Sequence, residues 1–325
     1  MKYLSSFLFI ALVLSSCNQQ KKMEATGFTQ GTTYSITYYS DGVSLQYQID
    51  SLLIQFDRVL STYQPNSYIT KWNENENIEA EMPALFKNVV TKALDITQQT
   101  NGAFDISVKP IFSFWFDSNW DTANLDSSVV DSIMHFVGSG HLTMTEKTLV
   151  KDDPRVQLDV NAIAQGYSVD VVCRYLESQN IYNYLVEIGG EVRVKGTKDD
   201  DTVWRVGIER PNNDASAERS IQMSLPLKSK ALATSGNYRK YLEVDGEKLG
   251  HVLNPLTGYP AQTDVLSASI VADDCITADA IATACLVLKF NGAKALIESE
   301  NNLEGILIYS EAGQIKTWVS KGLVD

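Results

Sequence analysis

Leu158-Asp-Val-Asn-Ala-Ile-Ala-Gln-Gly-Tyr-Ser-Val-Asp170 carries an apolar strand, Val156 to Val160, into a helix running from about Ala162 to Leu176. The segments on either side of it decide the fold class. Upstream, Leu142–Thr145 and Thr148–Lys151 read as short strands; downstream, Tyr184–Ile188 and Glu191–Val194 read as strands joined by Gly189-Gly190. Trp204–Ile208, Ile221–Leu225 and Leu266–Ala272 add further strands, and Gly305–Tyr309 with Gln314–Val319 forms a closing hairpin. Before the central stretch, Gly31–Tyr39 is rich in Thr, Tyr and Ile and predicts a strand. Ser44 is placed to cap a helix carrying Ile49, Leu53, Phe56 and Leu60, and a second helix opens near Pro83 and ends at Asn101-Gly102. A shorter helix is expected over Ser127–Phe136, and two more over Thr277–Leu288 and Ala293–Glu298. Helices and strands interleave without the recurring strand–helix–strand rhythm of a doubly wound sheet, so the pattern predicts α+β.

The chain has 325 residues and a formal charge of −13, which argues against nucleic acid because phosphate binding needs a basic face. Residues 1–16 read as an export signal, with Lys2 before an apolar run from Phe7 to Leu14 that is too short to span a membrane. Leu14-Ser-Ser-Cys17 resembles a bacterial lipobox, which makes Cys17 the lipidation site; a plain secretory peptide holding a cysteine is the other reading. Residues 17–27 read as a polar tether, leaving 28–325 as one large unit. Cys173, Cys275 and Cys285 lie in apolar settings without any CxxC spacing, and read as buried free thiols.

Several short stretches are able to carry chemistry. His251-Val-Leu-Asn-Pro-Leu-Thr-Gly-Tyr-Pro260 places one of three histidines just before a Pro/Gly turn. There His251, Asn254 and Thr257 are expected to converge, although a capped turn with a structural histidine fits the same residues. Asp159 stands where a helix offers unpaired amides, with Asn161 as a candidate helix cap and Gly166 leaving room for close approach. Asp279 and Thr283 are four apart on one helical face, a spacing that suits a hard cation and equally an ordinary helix start. Asp105, after the Asn101-Gly102 turn, is placed to meet a ligand or to close a turn of its own. Tyr63 lies in the loop Ser61-Thr-Tyr-Gln-Pro-Asn-Ser67, and Ala233-Thr-Ser-Gly-Asn237 reads as a loop with hydroxyls before a glycine. The usual nucleotide and hydrolase motifs, GxGxxG, the P-loop, GxSxG and HExxH, do not occur.

Taken in order, Gly31-Thr-Thr, Ser61-Thr-Tyr, Gly102-Ala-Phe-Asp, the Leu158 stretch, Ile188-Gly-Gly-Glu, Thr234-Ser-Gly-Asn-Tyr, the His251 loop and Ala278-Asp-Ala-Ile-Ala-Thr resemble the ApbE family of FAD:protein FMN transferases. The resemblance runs from about Gly31 to Leu288. It implies an α+β protein of duplicated, T-fold-like architecture, exported and lipid-anchored in the cell envelope, facing the periplasm. It also implies a Mg2+-dependent enzyme that takes FMN from FAD, places it on a threonine hydroxyl of a flavoprotein and releases AMP. The partner it implies is a flavoprotein subunit of a membrane redox complex, Rnf- or Nqr-like. By the resemblance the metal ligands are the Ala162 carbonyl, Asp279 and Thr283. The flavin contacts are Gln30, Tyr63, Ala103, Phe104, Asp105, Asp159, Gln165 and the His251 loop with Thr257. Gln30 replaces a common methionine, and Gln165 a common lysine or glutamate. His251 is the first choice for the catalytic base and Asp159 the second. An FAD pyrophosphatase and a non-catalytic FAD-binding lipoprotein are the competing readings.

Overall fold

The computed structural model describes residues 20–74, 81–117, 127–209, 221–236, 241–244 and 247–324. Cys17, the export signal, residues 17–19 of the expected tether and Asn237 lie outside them. In chain order, β1 (Lys21–Thr29) and β2 (Thr32–Ser40) form a hairpin, followed by α1 (Gln46–Leu60), α2 (Tyr68–Asn73), α3 (Ala84–Gln99), α4 (Lys109–Phe116) and α5 (Ser127–Met134). The short strands β3 (Leu142–Met144) and β4 (Leu149–Lys151) precede α6 (Asn161–Ser178). Then come β5 (Tyr184–Ile188), β6 (Glu191–Lys195), β7 (Trp204–Glu209), β8 (Ile221–Leu227), β9 (Ala231–Gly236), β10 (Tyr241–Val244) and β11 (Glu247–Gly250). β12 (Val265–Ala272), α7 (Cys275–Ser299), β13 (Glu304–Glu311) and β14 (Gln314–Val319) complete the order.

Eight strands make one sheet in the order β1-β2-β5-β6-β9-β12-β13-β14, with every neighbouring pair antiparallel. The expected α+β class is what forms. Alternation along the strands decides what each face touches; in β5, for example, Tyr184, Val186 and Ile188 are all buried. One face packs on α1, α3, α6 and α7 through a large apolar core that includes Phe56, Phe86, Ile163, Ile281 and Leu286. The β7–β8 hairpin covers the other face with Trp204, Val206, Ile208, Leu225 and Leu227. The two halves of the sheet meet at β6 and β9 through only two residue pairs, Val192 with Leu232 and Arg193 with Ala231.

That narrow seam is reinforced from the helix side. A Cβ added at Gly166 of α6 would fall 2.3 Å from the Cys275 carbonyl oxygen and 2.7 Å from Asp279 Cβ, so the two helices cross where only glycine fits. One turn on, the fully buried Asp170 accepts from Arg193 Nη1 at 2.6 Å and from the amides of Cys275 and Ile276 at 3.1 and 2.9 Å. A single carboxylate thus ties β6, α6 and the positive end of α7 together. Burial pushes its pKa up, and the Arg193 charge and the two amides oppose that shift.

Five sequence expectations are corrected. The stretch read as tether becomes, from Lys21 onward, strand β1, paired along its whole length with β2. Val156–Val160 is not a strand: Asn73 satisfies Leu158 on both sides, at 2.7 and 2.9 Å, and Asp159 N–H donates to the Ile106 carbonyl. Among the described residues its only ladder contact is a parallel bridge from Gln157 to Val108. Ala233–Gly236, read as loop, belongs to β9. Asn161 does not cap α6; Asp159 Oδ1 accepts from the Asn161 amide at 2.8 Å instead. Ser44 does not cap α1, whose N-cap is Leu45 without a side-chain bond. The two helices expected after Thr277 do form, with the break between them at Lys289, which has φ 59° and ψ 175°. Cys173, Cys275 and Cys285 are buried free thiols, as expected.

Gly166→Ala is expected to destabilise the protein by about 1–3 kcal/mol, because the new methyl must force two backbones apart. Urea unfolding followed by circular dichroism measures it, and an unchanged midpoint would refute the close crossing.

Candidate active site

A cavity of about 720 Å³ opens beside the α6–α7 crossing. Gln30, Tyr63, Ala103, Phe104, Asp105, Asp159, Ala162, Gln165, His251, Asp279 and Thr283 all line it. Residues more than two hundred positions apart therefore share one wall-to-wall volume. Thr257 is the exception. It is exposed on the outside of its turn, where its hydroxyl accepts from the Tyr259 amide at 3.4 Å. Asn254 does not converge on the cavity either, because its side chain accepts from Leu256 N–H at 2.9 Å and its carbonyl from Gly258 N–H at 2.9 Å. The turn is held down by Trp115, whose indole donates to the Gly258 carbonyl at 2.7 Å. What it presents inward is His251, Val252, Leu253 and Pro255.

The start of α6 builds one end of the cavity. Asp159 is buried, and burial pushes its carboxyl above the usual range while the Asn161 amide opposes the shift. Asn161 in turn pins the Ser61–Tyr63 loop, accepting from Thr62 Oγ1 at 3.3 Å and donating to Tyr63 Oη at 3.5 Å. The Tyr63 ring is 84% exposed, so a large aromatic face stands open at the mouth. Asp105 is committed to structure, accepting from the Ser107 amide through Oδ1 and from the Ser139 amide through Oδ2, both at 2.8 Å. It holds the Ala103-Phe104 segment in place as part of the cavity wall.

α7 builds the other end. Asp274 caps it, accepting from Thr277 N–H at 3.1 Å, and one and two turns later Asp279 and Thr283 face the cavity. Asp279 Oδ2 accepts from Gly166 N–H at 2.9 Å, a bond that the missing Cβ at Gly166 makes possible. Thr283 Oγ1 shares a 3.0 Å hydrogen bond with Ser235 Oγ at the end of β9. Burial drives Asp279 up to about 7. Glu191, at the start of β6, is also pushed well up by burial and by the neighbouring Asp279 charge. Gln165 Nε2 donates to Glu191 and to the Ile188 carbonyl, reaching through the space that a Cβ at Gly189 would fill.

This end of the cavity fits a hard divalent cation. The buried Asp279 and the half-buried Glu191 carboxylates repel one another there, hydroxyl oxygens stand beside them, and oxygen donors are what Mg2+ prefers. Among the described residues no group of three or more His, Cys, Asp or Glu side chains gathers to hold a metal. Sequence reading did not single out Glu191, Asp57, Asn161 or Ser235 as lining residues. Glu191 and Ser235 do stand in the quoted Ile188 and Thr234 stretches. Phe112 and Phe116 on α4, with ring centroids 4.8 Å apart, also line the cavity. The eight residues of α4 are too few and too uniformly apolar to show helical periodicity.

One orphan remains in the wall. Gln30 Nε2 is buried without a hydrogen-bond partner among the described residues. An unpaired buried donor of this kind costs about 1–3 kcal/mol.

The raised Asp279 carboxyl has a pH consequence. Its folded pKa lies above the ordinary 3.8, so its contribution to stability is fully present below about pH 4 and is lost as pH rises through about 7. Metal-free protein is therefore expected to weaken between pH 5 and 8, and Asp279→Asn to flatten that decline by an amount on the order of a few kcal/mol. Urea midpoints at the two pH values in EDTA check this; identical slopes for both proteins would refute it.

Residues 30–307 match the sequence profile of the ApbE family. The FAD:protein FMN transferase of Vibrio cholerae is 34% identical over 319 residues, covering 95% of this chain and 94% of its own. That of Haemophilus influenzae is 31% identical, covering 96% and 94%. Among solved structures, the flavin transferase ApbE of Vibrio cholerae superposes with a TM-score of 0.81 at 32% identity, covering 94% of this chain and 98% of its own. The apo flavinyl transferase ApbE of Pseudomonas stutzeri superposes with a TM-score of 0.81 at 29% identity, covering 93% and 96%.

Proposed function

The chain belongs to the ApbE family, and from that premise we propose that it is an FAD:protein FMN transferase. It takes FMN from FAD, esterifies a threonine hydroxyl of a flavoprotein and releases AMP. The observation that carries this reading is the cavity. Apart from Thr257, every flavin, metal and base position that the family resemblance assigns lines that one volume.

In the reaction a P–O bond forms from the threonine oxygen to the FMN phosphorus, and the bond from that phosphorus to the AMP oxygen breaks. Asp279, Thr283 and the Ala162 carbonyl would hold Mg2+, which when bound neutralises the pyrophosphate. The chain's own residues do the rest. Tyr63 offers a face on which a planar ring stacks at the mouth, and the Ala103-Phe104 segment, held by Asp105, closes the side. The hydroxyl proton leaves to a base, with His251 the first choice and Asp159 the second. The raised carboxyl of Asp159 makes its ionised form a stronger proton acceptor than an ordinary carboxylate. The open mouth leaves room for a protein segment to bring its threonine to the phosphorus.

The Lys2–Cys17 leader supports a lipid-anchored enzyme of the cell envelope, facing the periplasm. There a flavoprotein subunit of a membrane redox complex, Rnf- or Nqr-like, is the acceptor. FAD carries its own activated pyrophosphate, so no other energy donor is required. Cys17→Ser is expected to move the protein from the membrane fraction to the soluble fraction, read by fractionation and immunoblot.

The deciding experiment incubates the protein with FAD, Mg2+ and an acceptor domain, then looks for a fluorescent acceptor band and for AMP. Asp279→Ala is expected to abolish the band, and His251→Ala to slow its formation by about 10²–10⁴-fold. FMN and AMP released at full rate with no labelled acceptor would make the protein an FAD pyrophosphatase. Stoichiometric FAD binding with no product would make it a flavin-binding protein.

A further inference from the structure

We propose that the face at the start of β1 rests on a lipid bilayer, and that the body above it holds the cavity about 20–30 Å from the membrane surface. The inference rests on the lipid-anchored reading of Cys17 and goes beyond it, assigning the docking face and the height of the chemistry. The first constraint is the length of free chain. As a tether, residues 17–27 would reach about 36 Å when fully extended. Strand pairing removes most of that slack, because from Lys21, opposite Ser40, to Thr29, opposite Thr32, the backbone is locked to β2. Only the links from Cys17 to Lys21 remain, and they span at most about 14 Å.

The second constraint is direction, since three elements run between the anchored end and the cavity. β1 leaves the anchor and hands over to Gln30 in the cavity wall, its nine residues covering about 30 Å. α1 starts after Leu45 and ends at Leu60, also in the wall, a rise of about 22 Å over fifteen residues. α6 runs the other way: Asn161 and Ala162 line the cavity, and its eighteen residues end about 27 Å further on. There Gln179 and Asn180 share a second cleft with Gln20, Asp41, Val43 and Leu45. Lys21, Lys22 and Val43 are exposed at this end and suit a surface of phosphate-bearing headgroups over an apolar layer. Asp41 is exposed among them, so the lipid on Cys17, and not charge, supplies the affinity. An acceptor threonine must then stand about 20–30 Å from the bilayer, on a domain that rises from the membrane.

The test uses the lipidated full-length protein in vesicles. Cys173, Cys275 and Cys285 are buried, so a thiol dye takes an introduced surface cysteine. Val43→Cys and Gln179→Cys place the dye at the anchored end, and Tyr63→Cys places it just beyond α1 at the cavity mouth. Lipids with nitroxide headgroups, which quench only at short range, are included in the vesicles. Both anchored-end dyes are expected to lose most of their emission, and the Tyr63→Cys dye to keep it. Inserting a flexible Gly/Ser segment of about 20 residues after Asn18 is expected to restore the lost emission. Equal quenching at the two ends, or quenching that survives the insertion unchanged, overturns the inference. Protein that does not float with the vesicles overturns the anchor reading as well. The measurement contains no FAD, so a failure of flavin transfer leaves its result standing.

Discussion

The structure depends on a contact that one side chain would abolish. α6 and α7 cross at Gly166, where the backbone of one helix meets the Cys275 carbonyl and the Asp279 side chain of the other. At a larger residue the helices would stand further apart, and the amide of residue 166 would no longer reach the Asp279 carboxylate. Asp170 closes the same crossing from one turn away, holding the first amides of α7 and the guanidinium of Arg193. Because the sheet halves share only two residue pairs at β6 and β9, this buried ion pair and helix crossing form the stronger join between them.

The chemistry of the cavity follows from that join. α6 starts at Asp159 and Asn161, α7 delivers Asp279 and Thr283, β6 delivers Glu191, and β9 ends at Ser235. Each comes from an element that the crossing sets in place. The result gathers carboxylates and oxygen donors where solvent is largely excluded, which is a costly state for the carboxylates to hold in ionised form. The end at the start of α6 adds aromatic surface beside Asp159, with Phe104, Phe112, Phe116 and the exposed Tyr63. A molecule with planar rings and a pyrophosphate matches this division of the wall.

Much of the candidate site was legible along the chain because its residues sit in short, locally constrained stretches. The i, i+4 spacing of Asp279 and Thr283 needs only a helix to bring both to one side, and the helix forms. The His251 turn was half legible. Pro255 and Gly258 do enforce a compact loop, yet Asn254 and Thr257 serve the loop itself, and only tertiary packing against Trp115 determines which side faces inward. Asp159 read as a ligand-facing group and Asn161 as the cap, whereas the carboxylate takes the helix amide and the asparagine reaches the Ser61–Tyr63 loop. Such side chains compete for the same local amides, and their register is settled by what stands opposite.

The strands failed in the same way. Val156–Val160 has strand composition, but Asn73 from α2 satisfies Leu158 before any neighbouring strand does. Ala233–Gly236 has turn-like residues, but β12 gives its backbone a partner along most of its length. The sequence by itself determined the α+β class, the helices with strong apolar periodicity and most of the quoted residues that line the cavity. Only the tertiary structure decided that Glu191 and Asp279 are neighbours, that Gln30 holds a donor without a partner among the described residues, and that Thr257 faces away. Those facts depend on contacts between segments far apart in the chain, and local propensity carries no information about which distant backbone or charge will arrive.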